Sequence, residues 1–119
     1  MFCQFFKHKS SNLQDCQKKE NIHNEIFEEA IRKLKDGEIS EGRKLLFKLA
    51  SNNIESPELF NLLGISYEMS RDKLNALKYY RIAYYLDQSF TPAVENLHRA
   101  SNFYSKKMAD INWGVEEEQ

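Results

Sequence analysis

Phe60-Asn61-Leu62-Leu63-Gly64-Ile65-Ser66-Tyr67, followed after eight intervening residues by Ala76-Leu77-Lys78-Tyr79-Tyr80-Arg81-Ile82-Ala83, decides how this chain folds. Leu63 and Tyr67 recur four apart in the first stretch; Ala76, Tyr80 and Ala83, with Leu77, recur at four and three in the second. Such spacings set each group on one face of an α-helix. Gly64 costs roughly 1 kcal/mol relative to Ala in a helix interior, so it needs a compensating contact. Close approach of a neighbouring helix is the usual one. Ala76 and Ala83 give the second stretch a small-residue face, and large aromatics opposite small residues let two antiparallel helices interlock. Any helical hairpin packed this way would show the pattern. Tyr80 and Tyr84, four apart, share the Ala76–Ala83 face and read as core. Tyr79 and Tyr85 lie off that stripe and read as exposed area of the kind used at interfaces.

The set Phe60, Leu63, Gly64, Tyr67, then Ala76, Tyr80, Ala83, resembles one tetratricopeptide repeat over residues 57–90, with Phe for the usual Trp and Tyr for the usual Phe. Thirty-four residues upstream a degenerate copy begins at His23. There Ile26 stands for Phe60, Ala30 for Gly64, Gly42 for Ala76, Leu46 for Tyr80 and Leu49 for Ala83, and Gly37 falls at the turn opposite Arg71. Leu34 lies one residue beyond the site equivalent to Tyr67. The spacing between the copies needs no insertion. After Phe90, Thr91-Pro92 offers an N-cap and a Pro at the first helical position, as Ser56-Pro57 does earlier. Val94, Leu97, Ser101 and Tyr104 continue as a helical stripe beside Ala93 and Ala100. His98 stands where a small residue would be wanted, so this helix reads as the cap that a repeat array needs over its last unit. The expectation is an all-α, short α-solenoid of two tetratricopeptide-like helical hairpins plus a C-terminal capping helix. Helices are expected over about 21–36, 40–53, 57–70, 73–87 and 92–108, with Gly37 ending the first and Asp72 capping the fourth.

A chain of 119 residues is one domain in size. Only 4 Gly and 2 Pro beside 29% charged residues suits helices. The 17 basic and 18 acidic residues leave no basic field for nucleic acid. The organisation expected is a flexible N-terminal arm over 1–20, the helical domain over 21–108 and an acidic flexible tail over 109–119. The first 22 residues sum to a charge of +2 and residues 109–119 to −4, so the ends either attract weakly or are simply solvated. No stretch approaches the ~20 apolar residues of a transmembrane segment. The opening residues are too short and too polar for a signal peptide, which makes cytoplasmic residence the expectation. Phe2, Phe5 and Phe6 beside Lys7 and Lys9 suit an anionic membrane surface, packing on the first repeat, or disorder.

Residues that could carry chemistry are few. Cys3, His8, Cys16 and His23 are separated by four, seven and six residues, whereas zinc ligands come in pairs about two to four apart. Free thiols in a reducing compartment are expected, and a Cys3–Cys16 disulfide only in an oxidising one. His98 reads as a surface side chain. No Gly-rich phosphate loop and no Ser/His/Asp spacing of a nucleophile motif occurs. Glu28-Glu29 and Glu116-Glu117-Glu118 read as solvated. No catalytic residue, metal or cofactor is expected, and the chain is not expected to be an enzyme.

The tetratricopeptide resemblance implies where a partner would sit, because the first helix of each repeat lines a concave groove in that family. The first unit would contribute Asn24, Phe27, Ile31, Leu34 and Lys35; the second Glu58, Asn61, Ile65, Glu68 and Met69; the cap Glu95, Arg99, Asn102 and Phe103. Phe27, Ile31, Ile65, Met69 and Phe103 would make a partly exposed apolar floor suited to an amphipathic helix or an extended peptide, with Lys35, Glu68 and Arg99 on its rim. The same floor could instead be covered by residues 1–20. Tetratricopeptide co-chaperones clamp an acidic chain end with Lys, Asn and Arg. The corresponding sites here are Phe27, Ile31, Leu62, Pro92 and Asn96, and apolar residues cannot pair a buried carboxylate. The function implied is a non-enzymatic protein–protein interaction module, an adaptor or scaffold holding a peptide or helix of a partner protein. The alternatives are a self-associating subunit of a homo-oligomer, or a ligand- or metal-responsive regulator acting through the N-terminal Cys and His residues.

Overall fold

A computed structural model describes residues 13–52, 55–102 and 110–115. They form α1 (Leu13–Lys35), α2 (Ile39–Ser51), α3 (Pro57–Met69), α4 (Lys73–Leu86) and α5 (Thr91–Ser101). No strand occurs among the described residues, and none of their helices is long and apolar enough to cross a membrane. Each helix packs chiefly on its chain neighbour: α1 on α2, α3 on α4, α2 on α3 and α4 on α5. The odd-numbered helices also touch in the order α1–α3–α5. That second set of contacts makes α3 the neighbour of both α1 and α5.

The first helices of the two pairs end in the same way. Gly37 has φ +86° and Arg71 has φ +64°, both left-handed, thirty-four residues apart. The Gly37 and Glu38 amides donate to the carbonyls of Leu34 (3.0 Å) and Lys33 (2.9 Å); those of Arg71 and Asp72 donate to Glu68 (3.0 Å) and Tyr67 (2.9 Å). This doubly bonded reversal satisfies carbonyls that a helix end would otherwise leave bare, and it requires one residue in the left-handed region. Gly37 enters that region freely, whereas Arg71 does so against the usual preference. The following helices start on polar caps where the sequence supplies them. Ser56 Oγ accepts from the Leu59 amide at 3.2 Å, and Asp72 accepts from the Asn75 amide at 3.2 Å and its side chain at 2.7 Å. Those hydrogen bonds, the Asn75 side chain's first, hold the Asp72 carboxyl below the ordinary carboxylate range. Thr91 is not the expected cap of α5. Phe90 takes that position without a side-chain bond, and the Thr91 hydroxyl turns back to the Ser89 carbonyl.

The interlock at Gly64 is close. A Cβ built there would lie 2.5 Å from the ring of Tyr80, a side chain with no exposed surface, as are Ala76 and Ala83 on the same helix. The α1–α2 pair makes the same kind of approach with the roles exchanged: Gly42 on the second helix receives Leu34 of the first, 2.8 Å from where a Cβ would stand. Leu34 is therefore core, which removes it from the groove expected of it. Gly64→Leu is expected to overpack this contact and lower stability by about 1–3 kcal/mol, read by thermal unfolding of the helical signal. A variant that melts with wild type would place the close approach elsewhere.

Other expectations need correction. Tyr84 is 38% exposed and not core, while Tyr85 is 86% exposed. Tyr79, expected outside, is half-buried. Its ring stacks on Tyr67 at 5.3 Å and on Phe60 at 6.3 Å and meets Phe47 of α2 edge-on at 6.3 Å. Burial is the main cause that raises the Tyr79 phenol pKa. The reason is positional: α2 packs on α3 beside α4, so a second face of α4 is covered. Arg43 of α2 completes that junction, with its guanidinium 3.9 Å above the Tyr67 ring and donating to the Ser66 carbonyl and Ser70 Oγ at 2.8 and 2.7 Å. At the ends, α1 begins at Leu13, so residues 13–20 of the expected arm are helical. α5 ends at Ser101, and Tyr104 lies outside the described residues.

Candidate functional site: the face of α3 and α5 beneath residues 110–115

Asn61, Ile65, Glu68 and Met69 follow one another at helical spacing along one face of α3. Asn96 and Arg99 do the same on α5. Across these two helices lies the stretch 110–115, which was expected in a flexible tail. Its Ile111 and Trp113 pack against the core cluster that includes Leu62, Ile65 and Ala100. Asn112 is held on every polar atom described for it. The Asn112 amide donates to Asn96 Oδ1 at 2.8 Å, and its carbonyl accepts from Asn96 Nδ2 at 2.7 Å and from Asn61 Nδ2 at 3.1 Å. The Asn112 side chain donates to the Glu95 carboxylate at 2.6 Å and accepts from the Gly114 amide at 2.9 Å.

Asn96 thus uses one side-chain amide to satisfy both the N–H and the C=O of a single residue, as a neighbouring β-strand would. Its Nδ2 also donates to Asn61 Oδ1 at 2.8 Å. Both asparagines are fully buried. A buried amide is stable only when its donors and acceptor are satisfied, and here much of that satisfaction comes from the backbone of residue 112. These two bonds are made to the main chain of residue 112 and not to its side chain.

Glu68 and Arg99 stand one step further along. Arg99 grips Glu68 with both terminal nitrogens, one of them 2.7 Å from Oε1, and the Tyr80 hydroxyl donates to the same Oε1 at 2.7 Å. The two side chains retain only 13% and 11% of their surface. They were expected on an exposed rim; they are instead a largely buried fork-to-fork pair tying α3, α4 and α5 together. Hydrogen bonding to Glu68 is the leading cause that raises the Arg99 pKa. Burial first, then the Glu68 charge, raises that of the Tyr80 phenol.

The other expected groove residues divide by position. Ile65 has no exposed surface, so its expected partial exposure is corrected: it belongs to the cluster that Ile111 and Trp113 cover. Met69, Ile31 and Phe27 are half-buried, and Asn24, Lys35 and Asn102 are exposed. The Lys35 ammonium sits 5.2 Å over the Trp113 ring, joining α1 to the bound stretch. Phe27 and Asn24 line a separate cleft of about 200 Å³ with His23, Leu49, Ser56 and Glu58. Phe103 lies outside the described residues, as do Cys3 and His8. The structure therefore brings Lys35, Asn61, Glu68 and Arg99 to the 110–115 stretch or the network beside it, and leaves Asn24 and Phe27 at another station.

Asn96, Asn112 and Trp113 were missed as site residues. Asn96 carried a signal, a polar residue among Ala93, Leu97 and Ala100 on the packing face of α5. Trp113 carried another, the chain's 1 Trp amid acidic residues. Among the described residues no group of three or more His, Cys, Asp or Glu is placed to hold a metal ion. No protein-family model, no curated protein and no solved structure matches this chain.

Proposed function

We propose that the chain is a non-enzymatic protein–protein interaction module of tetratricopeptide type, which holds an extended peptide segment of a partner protein against α1, α3 and α5. The observation that carries this reading is the Asn96 amide bonded to both main-chain groups of Asn112, at 2.8 and 2.7 Å, with Asn61 beside it. Main-chain hydrogen bonds give affinity for extended peptides, and flanking pockets add selectivity. The half-buried Ile31 and Met69 supply apolar area along the same helices. The thirty-four-residue recurrence of the left-handed turn at Gly37 and Arg71 supports the repeat assignment.

The test is selection of peptides from a random display library by the full chain, followed by affinity measurement on Asn96→Ala. Selected peptides are expected to lose at least tenfold in affinity with helicity retained. That loss corresponds to about 1.4 kcal/mol, within what an unsatisfied buried group commonly costs. Equal affinity in a folded variant would remove the asparagine pair from the binding site. Self-association is the second reading, favoured by the outer side of α4, where Leu74 is 83% and Tyr85 86% exposed.

A further inference from the structure

We infer that this face reads a segment of the form apolar–Asn–aromatic–Gly, that the partner carries such a segment, and that residues 111–114 are the chain's own copy of it, seated in competition. The inference rests on the peptide-binding reading above and adds the identity of the ligand.

Each position of the motif has its own reason. The main chain at the Asn position is bonded by Asn96 and Asn61, but its side chain is read too. Asn112 Nδ2 donates to Glu95 at 2.6 Å while Oδ1 accepts from the Gly114 amide at 2.9 Å. Asp could not donate to Glu95, and Gln would displace the short turn that reaches the second amide onward. Gly114 has φ +77°, and a Cβ there would lie 2.9 Å from the Phe90 ring and 3.2 Å from Asn61 Nδ2. Conformation and space thus both require glycine. The aromatic between them packs on the core cluster under the Lys35 ammonium, 5.2 Å away, and the apolar residue before the Asn packs on that cluster as well. A face with this many side-chain requirements is more selective than main-chain pairing alone would make it. Any partner segment meeting them must first displace the internal one.

The full chain carries its own reporter, since Trp113 is its 1 tryptophan. Titration of wild-type protein with the Trp-free hexapeptide Asp-Ile-Asn-Phe-Gly-Val is expected to shift Trp113 emission to the red, saturably, as the indole moves into water. Peptides with Ala for Asn, or Val for Gly, are expected to need at least tenfold higher concentration. In the full-length Gly114→Val variant the internal segment no longer fits, so the fluorescein-labelled hexapeptide should bind at least tenfold more tightly than to wild type. Adding Asn96→Ala should remove that gain. Equal affinity of both chains for the peptide would overturn the competition while leaving peptide binding intact. Binding that ignores the Asn and Gly of the peptide would overturn the motif. No binding to either chain, with helicity retained, would overturn the peptide-binding reading itself. A dimer by light scattering that Gly114→Val dissociates would make a second copy of the chain the occupant and overturn the assignment to a partner.

Discussion

Tyr80→Ala is expected to destabilise the fold by about 3–5 kcal/mol, the cost of truncating a large buried aromatic. The ring is fully buried and lies directly on Gly64. The side chains around it include Ala76 and Ala83, which are too small to fill the space it would leave. The substitution also removes the hydroxyl that donates to Glu68 at 2.7 Å. Tyr80→Phe separates the two effects, because it keeps the ring and loses only the hydrogen bond, for about 1–2 kcal/mol. Denaturant unfolding followed by circular dichroism measures both. A small effect for Ala would mean that the α3–α4 contact closes over the missing ring, contrary to the tight approach at Gly64.

Arg99→Ala is expected to cost about 3–5 kcal/mol for a different reason. It leaves the Glu68 carboxylate, 13% exposed, held by the Tyr80 hydroxyl without the guanidinium. Removing one partner of a buried pair strands the other charge, whereas replacing both with neutral groups of similar shape is often close to neutral. Glu68→Gln with Arg99→Met retains an acceptor for the Tyr80 hydroxyl and fills the space of the guanidinium stem. The double variant is therefore expected to recover most of the loss, and a double-mutant cycle closed with the single variants Glu68→Gln and Arg99→Met is expected to give a coupling energy of about 2–3 kcal/mol. An Arg99→Ala loss below about 1 kcal/mol, the level of exposed pairs, would show that water reaches the pair freely.

How far each feature could be read from sequence follows from how local it is. The helices and the Gly64–Tyr80 contact were legible because both partners carry 3.6-residue periodicity and the turn between them is short. Asp72 was legible as a cap because the side chain that bonds the Asn75 amide is three residues away. The left-handed conformation of Arg71 had no local signal; only its register with Gly37 pointed to it. Tyr79 was misread because the periodicity of one helix shows which side is apolar, not which neighbour covers a second side, and Phe47 arrives from α2. Residues 13–20 were misread because the start of α1 is polar and exposed where described, so no apolar stripe marks it. At the candidate site, the bonds of Asn61 run to residue 112 and those of Glu68 and Arg99 to each other, so their burial depends on partners distant in sequence. Nothing periodic links Asn61 to Asn112.

That last contact has a consequence for the order in which the molecule assembles and comes apart. The turns that join the helices are closed by hydrogen bonds between residues three to five apart, whereas the bond from Asn61 to Asn112 spans 51 residues. Contacts between distant positions close large loops and form late, after the local pairs have reduced the remaining chain entropy. By the same logic the docked stretch is among the first parts to lift, in an excursion that leaves the helix pairs standing. Its lifetime is therefore governed by a handful of hydrogen bonds and two half-buried side chains, and not by the barrier to global unfolding. Amide exchange at Asn112 and Gly114 should run faster than at Leu63 or Tyr80, and the α3–α5 face should be transiently bare in an otherwise native molecule.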